Sequence, residues 1–393
     1  MATAQYLTEL GLGLVERGHE VSVVASSRGY DDPARRFPVR ETWRGIQIHR
    51  IWTPGLGKRS WLRRFIDFAV FWVNATRILL LLPRQDVTVC LTSPPLISTL
   101  GTVIAWVKGG KVIPWIMDLN PDEAVAAGWL KSGGVMERFL SAAQRWSFAR
   151  SARIVVLDEF MAERVQAKGV PPDRLHVDPP WSHDEAIRYD EAGRNAFRVK
   201  HGLADKFVVM YSGNHSPCHP LDCVLSAAML LREDKSIHFV FVGGGSEFAK
   251  VQAFAKNNQL TNILTLPYQP LGELSASLSA ADLHLVVMGE AFVGMIHPCK
   301  IYNVLNLGIP FLNLGPERSH LANLVEAVED ESVATRLPND EPERLVAFLR
   351  TRSCSSNAAP HLRLQQLGAA FSKHKLMPRL IEVIEGERRS EKG

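Results

Sequence analysis

The run Val293-Gly294-Met295-Ile296-His297-Pro298-Cys299-Lys300-Ile301-Tyr302 holds the residues whose types and spacing best suit chemistry. Gly294 lies in a turn, Pro298 suits the opening of a helix, and Gly308 stops that helix ahead of a strand over 309–314. A helix N-terminus carries free backbone N–H groups and partial positive charge, so it suits an anion such as a diphosphate. Lys300 falls in that first turn, where a cation disfavours the helix, and a bound phosphate reverses the cost. Asp118 is the second candidate. It follows an expected strand over 112–116, at the sheet edge where doubly wound folds take ligands, and a carboxylate there can orient or deprotonate a hydroxyl. Each has a plainer alternative: Lys300 as a surface residue, and Asp118 as a helix N-cap or loop carboxylate.

Glycines supply the rest of the pattern. Gly213 and Asn214 follow an expected strand over 207–211, where a backbone without a side chain lets a ligand approach closely. His215 and His219 lie in the turn after them. Gly243 and Gly244, with Gly245, end an expected strand over 238–242; they either line a cleft or merely turn the chain. The full phosphate-loop pattern of Gly, four residues, Gly-Lys-Ser/Thr is absent.

The elements that must position these residues fit a two-domain chain. At 393 residues, 46% apolar and 22% charged, the composition is that of an ordinary globular protein long enough for two cores. The net charge of +4 is unevenly spread: Arg28, Arg35, Arg36, Arg40, Arg44, Arg50, Lys58, Arg59, Arg63 and Arg64 face only Asp31, Asp32 and Glu41 in that stretch. Such a face serves an anionic lipid, nucleic acid or substrate, or is simply solvated. Five scattered cysteines without a C-x-x-C pair argue against a disulfide framework or zinc site and fit a reducing compartment. No signal-peptide pattern opens the chain. The uncharged run 87–107 is long enough to span a membrane, but Pro94 and Pro95 split it into a buried strand and a buried helix.

Strands are expected at 20–25, 46–52, 87–91, 112–116 and 154–157, with helices at 5–17, 61–82, 96–107, 135–147 and 160–168. Residues 179–194 read as a linker. Alternation then resumes, with strands at 207–211, 238–242, 262–266, 283–287 and 309–314. The intervening helices are expected at 221–231, 248–257 and 271–279, with later ones at 341–351, 361–368 and 378–385. This pattern implies mainly parallel sheets covered on both faces. The expected division is 1–182, 183–375 and a C-terminal helix and tail, 376–393. A doubly wound domain normally opens with a strand and a Gly-rich loop; here a helix comes first, so a preceding segment of about 15–20 residues is expected.

The second half resembles the donor domain of family 4 of the retaining glycosyltransferases. The likeness rests on Tyr211-Ser212-Gly213-Asn214, Phe239-Val240-Phe241-Val242-Gly243-Gly244-Gly245, Leu266-Pro267-Tyr268-Gln269-Pro270, Ala280-Ala281-Asp282-Leu283, Pro298-Cys299-Lys300-Ile301-Tyr302 and Leu307-Gly308-Ile309-Pro310. In the first half, Gly18-His19-Glu20-Val21 resembles the family's helix-to-strand corner. Thr92-Ser93-Pro94-Pro95 and Asp118-Leu119-Asn120-Pro121-Asp122 are similar to a subgroup of amino-sugar transferases that builds bacterial surface polysaccharides. Many members carry two glutamates eight positions apart; those positions here are Met295 and Asn303, and Cys299 replaces a serine.

The resemblance implies the α/β GT-B fold, two doubly wound Rossmann-like domains facing a cleft. It implies retaining transfer from a UDP- or GDP-type sugar to a lipid-linked or polysaccharide acceptor, without cofactor or metal. Gly213, Asn214, His219, Gly243, Gly244, Tyr268, Gln269, Gly294, Met295, Pro298, Cys299, Lys300 and Tyr302 would form the donor site, and Asp118 and Lys300 would be catalytic. The backbone around Cys299 and Ile301 would share the diphosphate with Lys300. A cytoplasmic protein peripheral at the inner membrane face is implied, with an anionic membrane surface and no nucleic acid among its partners. Lys58, Arg59, Arg63 and Arg64 ahead of Phe65, Phe68, Phe71 and Trp72 suit an anionic interface, or else a core-packing helix beside a charged loop. Two other readings stay open: a degenerate, non-catalytic nucleotide-sugar-binding protein, and a nucleotide-sugar epimerase on the same frame.

Overall fold

The computed structural model describes residues 2–29, 36–56, 61–183, 186–354 and 360–386. Arg35, Lys58 and Arg59 of the basic run, the side chains of Arg64 and Phe65, and the charged tail 387–393 lie outside the described residues. The chain divides into two compact units, Met1–Asp178 with Met377–Gly393, and Pro179–Leu376.

In the first unit the order is α1 (Ala2–Glu16), β1 (Val21–Ser26), β2 (Arg40–Trp43), β3 (Ile46–Ile51), α2 (Trp61–Leu81), β4 (Val87–Cys90), α3 (Ile97–Lys108), β5 (Lys111–Pro114), α4 (Asp122–Ala126), α5 (Val135–Arg150), β6 (Ile154–Val156), α6 (Glu159–Ala167) and β7 (Leu175–Val177). β2 and β7 are too short and too polar to stand out in the sequence. β1 pairs parallel with β3, and β2 antiparallel on its other side; β4–β5 and β6–β7 form separate parallel pairs. A bridge between Trp115 and Val155 joins the last two pairs. Among the described residues no ladder joins β1 to β4. The uncharged run 87–107 folds as strand, turn and helix, as expected, and no helix among the described residues is long and apolar enough to cross a membrane.

The second unit continues with α7 (Glu191–Lys200), β8 (Phe207–Asn214), α8 (Asp222–Leu230), β9 (Ile237–Gly244), α9 (Phe248–Asn257), β10 (Ile263–Leu266), α10 (Leu271–Ser279), β11 (Leu283–Val287), α11 (Lys300–Leu307), β12 (Phe311–Leu314), α12 (His320–Val328), β13 (Ala334–Leu337), α13 (Pro342–Cys354) and α14 (Leu362–Gly368); the last helix, α15 (Lys373–Glu385), starts in this unit and belongs to the first from Met377 on. Its six strands are all parallel, in the order β10-β9-β8-β11-β12-β13. Strand order reverses between β8 and β11, which is the switch point where such sheets bind ligands. Alternation along β8 feeds both faces: Val209 and Tyr211 pack in one core with Phe239, Leu285 and Leu312, and Val208 and Met210 in another with Val240 and Ile309. Burial on both faces explains why these strands read as continuous apolar runs.

Three expectations need correction. The linker over 179–194 is shorter than expected, because α7 begins at Glu191, its N-terminus capped by Asp190 through Gly193 N–H. α7 is polar yet packed: Arg194 and Arg198 are buried and both reach Asp282, the latter at 3.0 Å. The Asp282 carboxylate also accepts from Val208 N–H at 2.7 Å, so one anion ties α7 to β8 and β11. The terminal helix, set apart in the sequence reading, is held by the first unit: Glu385 accepts from Arg17 at 2.8 Å and pairs with His19 at 2.8 Å. Finally, much of the aromatic face of α2 is turned inward, with Phe71 and Trp72 packing on Ile51, Ala75 and Leu100.

Asp282→Ala strands two guanidiniums in the core. The expected loss is about 3–5 kcal/mol of stability, read as a shifted urea midpoint, against less for Asp282→Asn.

Candidate functional site

The C-terminal ends of β8 and β9 lie in register, Gly213 opposite Gly243 and Asn214 opposite Gly244. Gly243 adopts φ 138°, and a Cβ on it would stand 2.0 Å from the Gly213 carbonyl oxygen. Only glycine allows these strands to run together this far. The loop after β8 turns back: His215 N–H donates to Gly244 O at 2.8 Å, and its ring Nδ1 donates to Gly213 O at 3.1 Å. His219 Nδ1 donates to the Val287 carbonyl at 2.7 Å, linking that loop to the end of β11 across the switch point.

Lys300 reaches into this place. It opens α11, and its ammonium lies 3.5 Å from the centre of the Tyr211 ring, beside Gly213. Although the Lys300 stem is half-buried, its Nζ is sealed from solvent and has no hydrogen-bond partner among the described residues. Burial pulls its pKa from the usual lysine range down to about 7. The neighbouring imidazoles are held neutral: burial and then the Lys300 charge lower His215 to about 4 and His219 to about 3. His215 Nε2 is likewise buried and unpaired. The aromatic face offers the ammonium a weak partner, not a counter-ion. A buried cation with no anion among the described residues, at a switch point, is an arrangement that an anionic ligand would complete.

The other expected donor residues divide. Tyr268 is exposed and lays its ring against Gly244, 3.1 Å from where a Cβ would stand, a surface on which a nucleobase can stack. Gln269 is half-buried and donates to Pro267 O at 2.8 Å. Gly294 turns the chain at φ 69°. Pro298 is buried and precedes the helix, which begins two residues later than expected. Cys299 is the N-cap, but its thiol donates to His297 O at 3.2 Å and not to the helix. The N–H groups of Cys299 and Ile301 donate to His297 O and Pro298 O, so they are not the free anion donors expected. Tyr302 is a core residue, packed on Phe371 with its hydroxyl 2.6 Å from His297. Met295 is buried, and Asn303 accepts from His183 N–H at 3.1 Å, so both positions that carry acids in many relatives are structural here. Tyr211 was missed as a site residue; its two-residue spacing from Gly213 on a strand was the available signal.

In the first unit Asp118 is partly buried beyond β5 and lines a cavity of about 10 Å³, room for about one water, with Thr92, Ser98 and Gln144. Burial first, and the Glu123 charge second, raise its pKa to about 7. Gln144 of α5 donates to Asn120 O at 2.5 Å and fixes the loop. A larger cavity of about 210 Å³ lies on the far side of His219, between the β8–α8 loop and α9. Its charges neutralise one another, Lys250 pairing with Asp222 at 3.0 Å and Glu247 at 3.8 Å.

The glycosyl transferase 4-like domain matches residues 2–181. The chain is a glycosyltransferase whose residues 2–181 form a glycosyl transferase 4-like domain. It is 25% identical to the putative colanic acid biosynthesis glycosyl transferase WcaI of Escherichia coli K12 over 363 residues, 88% of this chain and 87% of that one. The glycosyltransferase also shares its GT-B fold with WaaG, described as involved in lipopolysaccharide biosynthesis (TM-score 0.72, 18% identity, 98% of this chain and 96% of that one). A third likeness is to Anabaena Alr3699/HepE in complex with UDP and glucose (TM-score 0.71, 11% identity, 98% and 95%).

Gly243→Ala drives a methyl group into backbone, which has nowhere to move. The expected cost is about 1–3 kcal/mol in denaturant titration. Gly272→Ala, with nothing within 4 Å, is neutral or slightly stabilising.

Proposed function

We propose that this glycosyltransferase moves a sugar from a nucleoside diphosphate of the UDP or GDP type to a lipid-linked acceptor, with retention, in bacterial surface-glycan synthesis at the inner face of the cell membrane. The observation that carries the donor half is the buried, unpaired ammonium of Lys300. A diphosphate supplies the missing anion, and the likeness to a fold-mate in complex with UDP supports that choice. The surface-glycan setting is supported by the names of WcaI and WaaG.

Transfer breaks the bond between the anomeric carbon and the diphosphate and forms one to the acceptor oxygen. The departing diphosphate gains negative charge, and Lys300, in a dry site, stabilises that charge more than a solvated lysine would. His215 and His219, held neutral, add polarity without a second positive charge. Gly213 and Gly243 leave the strand ends bare for the phosphates, and Tyr268 stacks the base. The acceptor hydroxyl loses one proton; Asp118, with its pKa near 7, is tuned to accept it at neutral pH. Met295 and Asn303 leave the donor sugar without the glutamate contacts many relatives make, so its hydroxyls are held by other groups.

Lys300→Ala removes a charge-assisted contact worth about 1.5–3 kcal/mol, so UDP or GDP affinity in calorimetry falls about 10- to 100-fold without a lower melting temperature. Unchanged affinity for both nucleotides ends the role. The sign of the pH effect is also fixed. Without ligand Lys300 is mostly neutral at pH 8, because its pKa is about 7; an anion restores the charged form. Binding of a nucleoside diphosphate sugar at pH 8 therefore takes up as much as about one proton, seen as a heat that varies with buffer ionisation enthalpy. For Asp118 the rate climbs as pH rises through about 7, as the carboxylate forms; Asp118→Asn flattens that limb and lowers the rate about 10²–10⁴-fold.

A further inference from the structure

Helix α5 is built inside out. Its buried face carries Ser141, Gln144 and Ser147 beside a single Phe148. Most of these polar atoms are bonded: Ser141 donates to Glu137 at 2.6 Å, Gln144 Nε2 to Asn120 O, and Ser147 shares a bond with Thr102 at 2.9 Å, while Gln144 Oε1 is buried without a partner among the described residues. The outward face carries the apolar residues. Val135 is 87% exposed, Phe139 67% and Met136 55%. Val135, Phe139, Ala142 and Trp146 recur at steps of four, three and four, one stripe about 17 Å long on a helix lying along the surface. Just before the helix, Trp129 is 56% exposed. An outward apolar stripe on a helix whose inner face is polar is not core packing that failed; it is a surface meant for a non-aqueous neighbour.

The charges choose that neighbour. Arg138 and Arg145 border the stripe on one side, and Arg150 on the other stacks on Trp146 at 4.7 Å. None of the three pairs with a carboxylate among the described residues, and Glu137, the helix's one acid, is engaged by Ser141. Apolar side chains between unpaired guanidiniums match acyl chains below anionic phosphates.

We propose that the outward face of α5, with Trp129 before it, docks on an anionic phospholipid bilayer. Gln144 binds α5 to the Asp118 loop, so docking brings that loop to the headgroup level, where the sugar of a lipid-linked acceptor lies. This last link rests on the acceptor assigned above; the docking itself does not. The face differs from the basic-aromatic helix favoured by sequence, α2, whose Phe71 and Trp72 face a core.

The test uses the full chain, sedimented with vesicles of phosphatidylcholine alone or mixed with phosphatidylglycerol. Binding to the anionic vesicles at low salt, weakened at least about tenfold at high salt and on the neutral ones, is expected. Val135→Asp with Phe139→Asp lowers it at least about tenfold, and Arg138→Glu with Arg145→Glu does the same. These side chains lie on the surface, so circular dichroism and nucleotide affinity stay unchanged. Val73→Asp with Leu81→Asp on the exposed side of α2 binds like the unmutated protein. Absence of binding to anionic vesicles, undiminished binding by the α5 variants, or loss in the α2 variant alone overturns the proposal. So does a dimer in light scattering that Val135→Asp with Phe139→Asp dissolves while vesicles go unbound: the face is then a self-interface. Vesicle binding without nucleotide binding leaves docking intact and removes the donor reading instead.

Discussion

A buried ammonium with no counter-ion is the constraint around which the second unit is arranged. Removing a charge from water costs several kcal/mol unless a partner compensates. Lys300 receives only the face of Tyr211, so its pKa falls to about 7 instead of the residue being expelled. Several features make sense as a consequence. The histidines around it are neutral, because burial penalises their charged form and the Lys300 charge adds to that. Gly213 leaves the space beside the ammonium open, since a Cβ there would stand 3.3 Å from Nζ. In the proposed reading a diphosphate would relieve this unfavourable electrostatic state, so part of the binding energy would be built in before the ligand arrives.

Asp282 solves the opposite problem in the same unit. There a buried anion is fully partnered, by Arg194, Arg198 and the Val208 amide. It lies where β11 begins, at the other end of the sheet from Lys300, and it holds α7 to the two strands that flank the switch point. One buried charge is satisfied and gives rigidity; the other has no partner among the described residues and is the one the proposed donor would meet. The first unit repeats the theme more mildly. Asp118, under pressure from burial and from Glu123, is kept near the pH at which it can exchange a proton, while Gln144 and Asn120 fix the loop that carries it.

Much of this was legible in the chain. The strands of the second unit are long apolar runs between glycines, and α9, α10 and β11 fall on their expected residues because pattern and burial coincide. The turn before Lys300 also follows from local chemistry. Short polar strands such as β2 were not legible, since tertiary pairing rather than propensity makes them strands. Nor was α7, whose buried faces are arginines: a hydrophobic pattern does not reveal a helix that packs through salt bridges.

The inversion of α5 shows the limit most plainly. Its sequence has an apolar stripe and a polar stripe, and periodicity alone assigns the apolar one to the core. The fold decides otherwise: Ser147 shares a bond with the Thr102 hydroxyl and Gln144 donates to Asn120 O, so the polar face of α5 is the one turned inward. Likewise Cys299 and Ile301, expected to share the anion with Lys300, have their N–H groups engaged by His297 O and Pro298 O, and Tyr302, expected at the donor site, packs its ring on Phe371. The sequence by itself determined the α/β alternation, the glycosyltransferase resemblance and the place of Lys300 at the start of a helix, because these depend on residue type and on neighbours along the chain. Tertiary structure alone decided which way each face points, and that Lys300 has no anion to meet, because burial and pairing depend on residues far apart in the sequence.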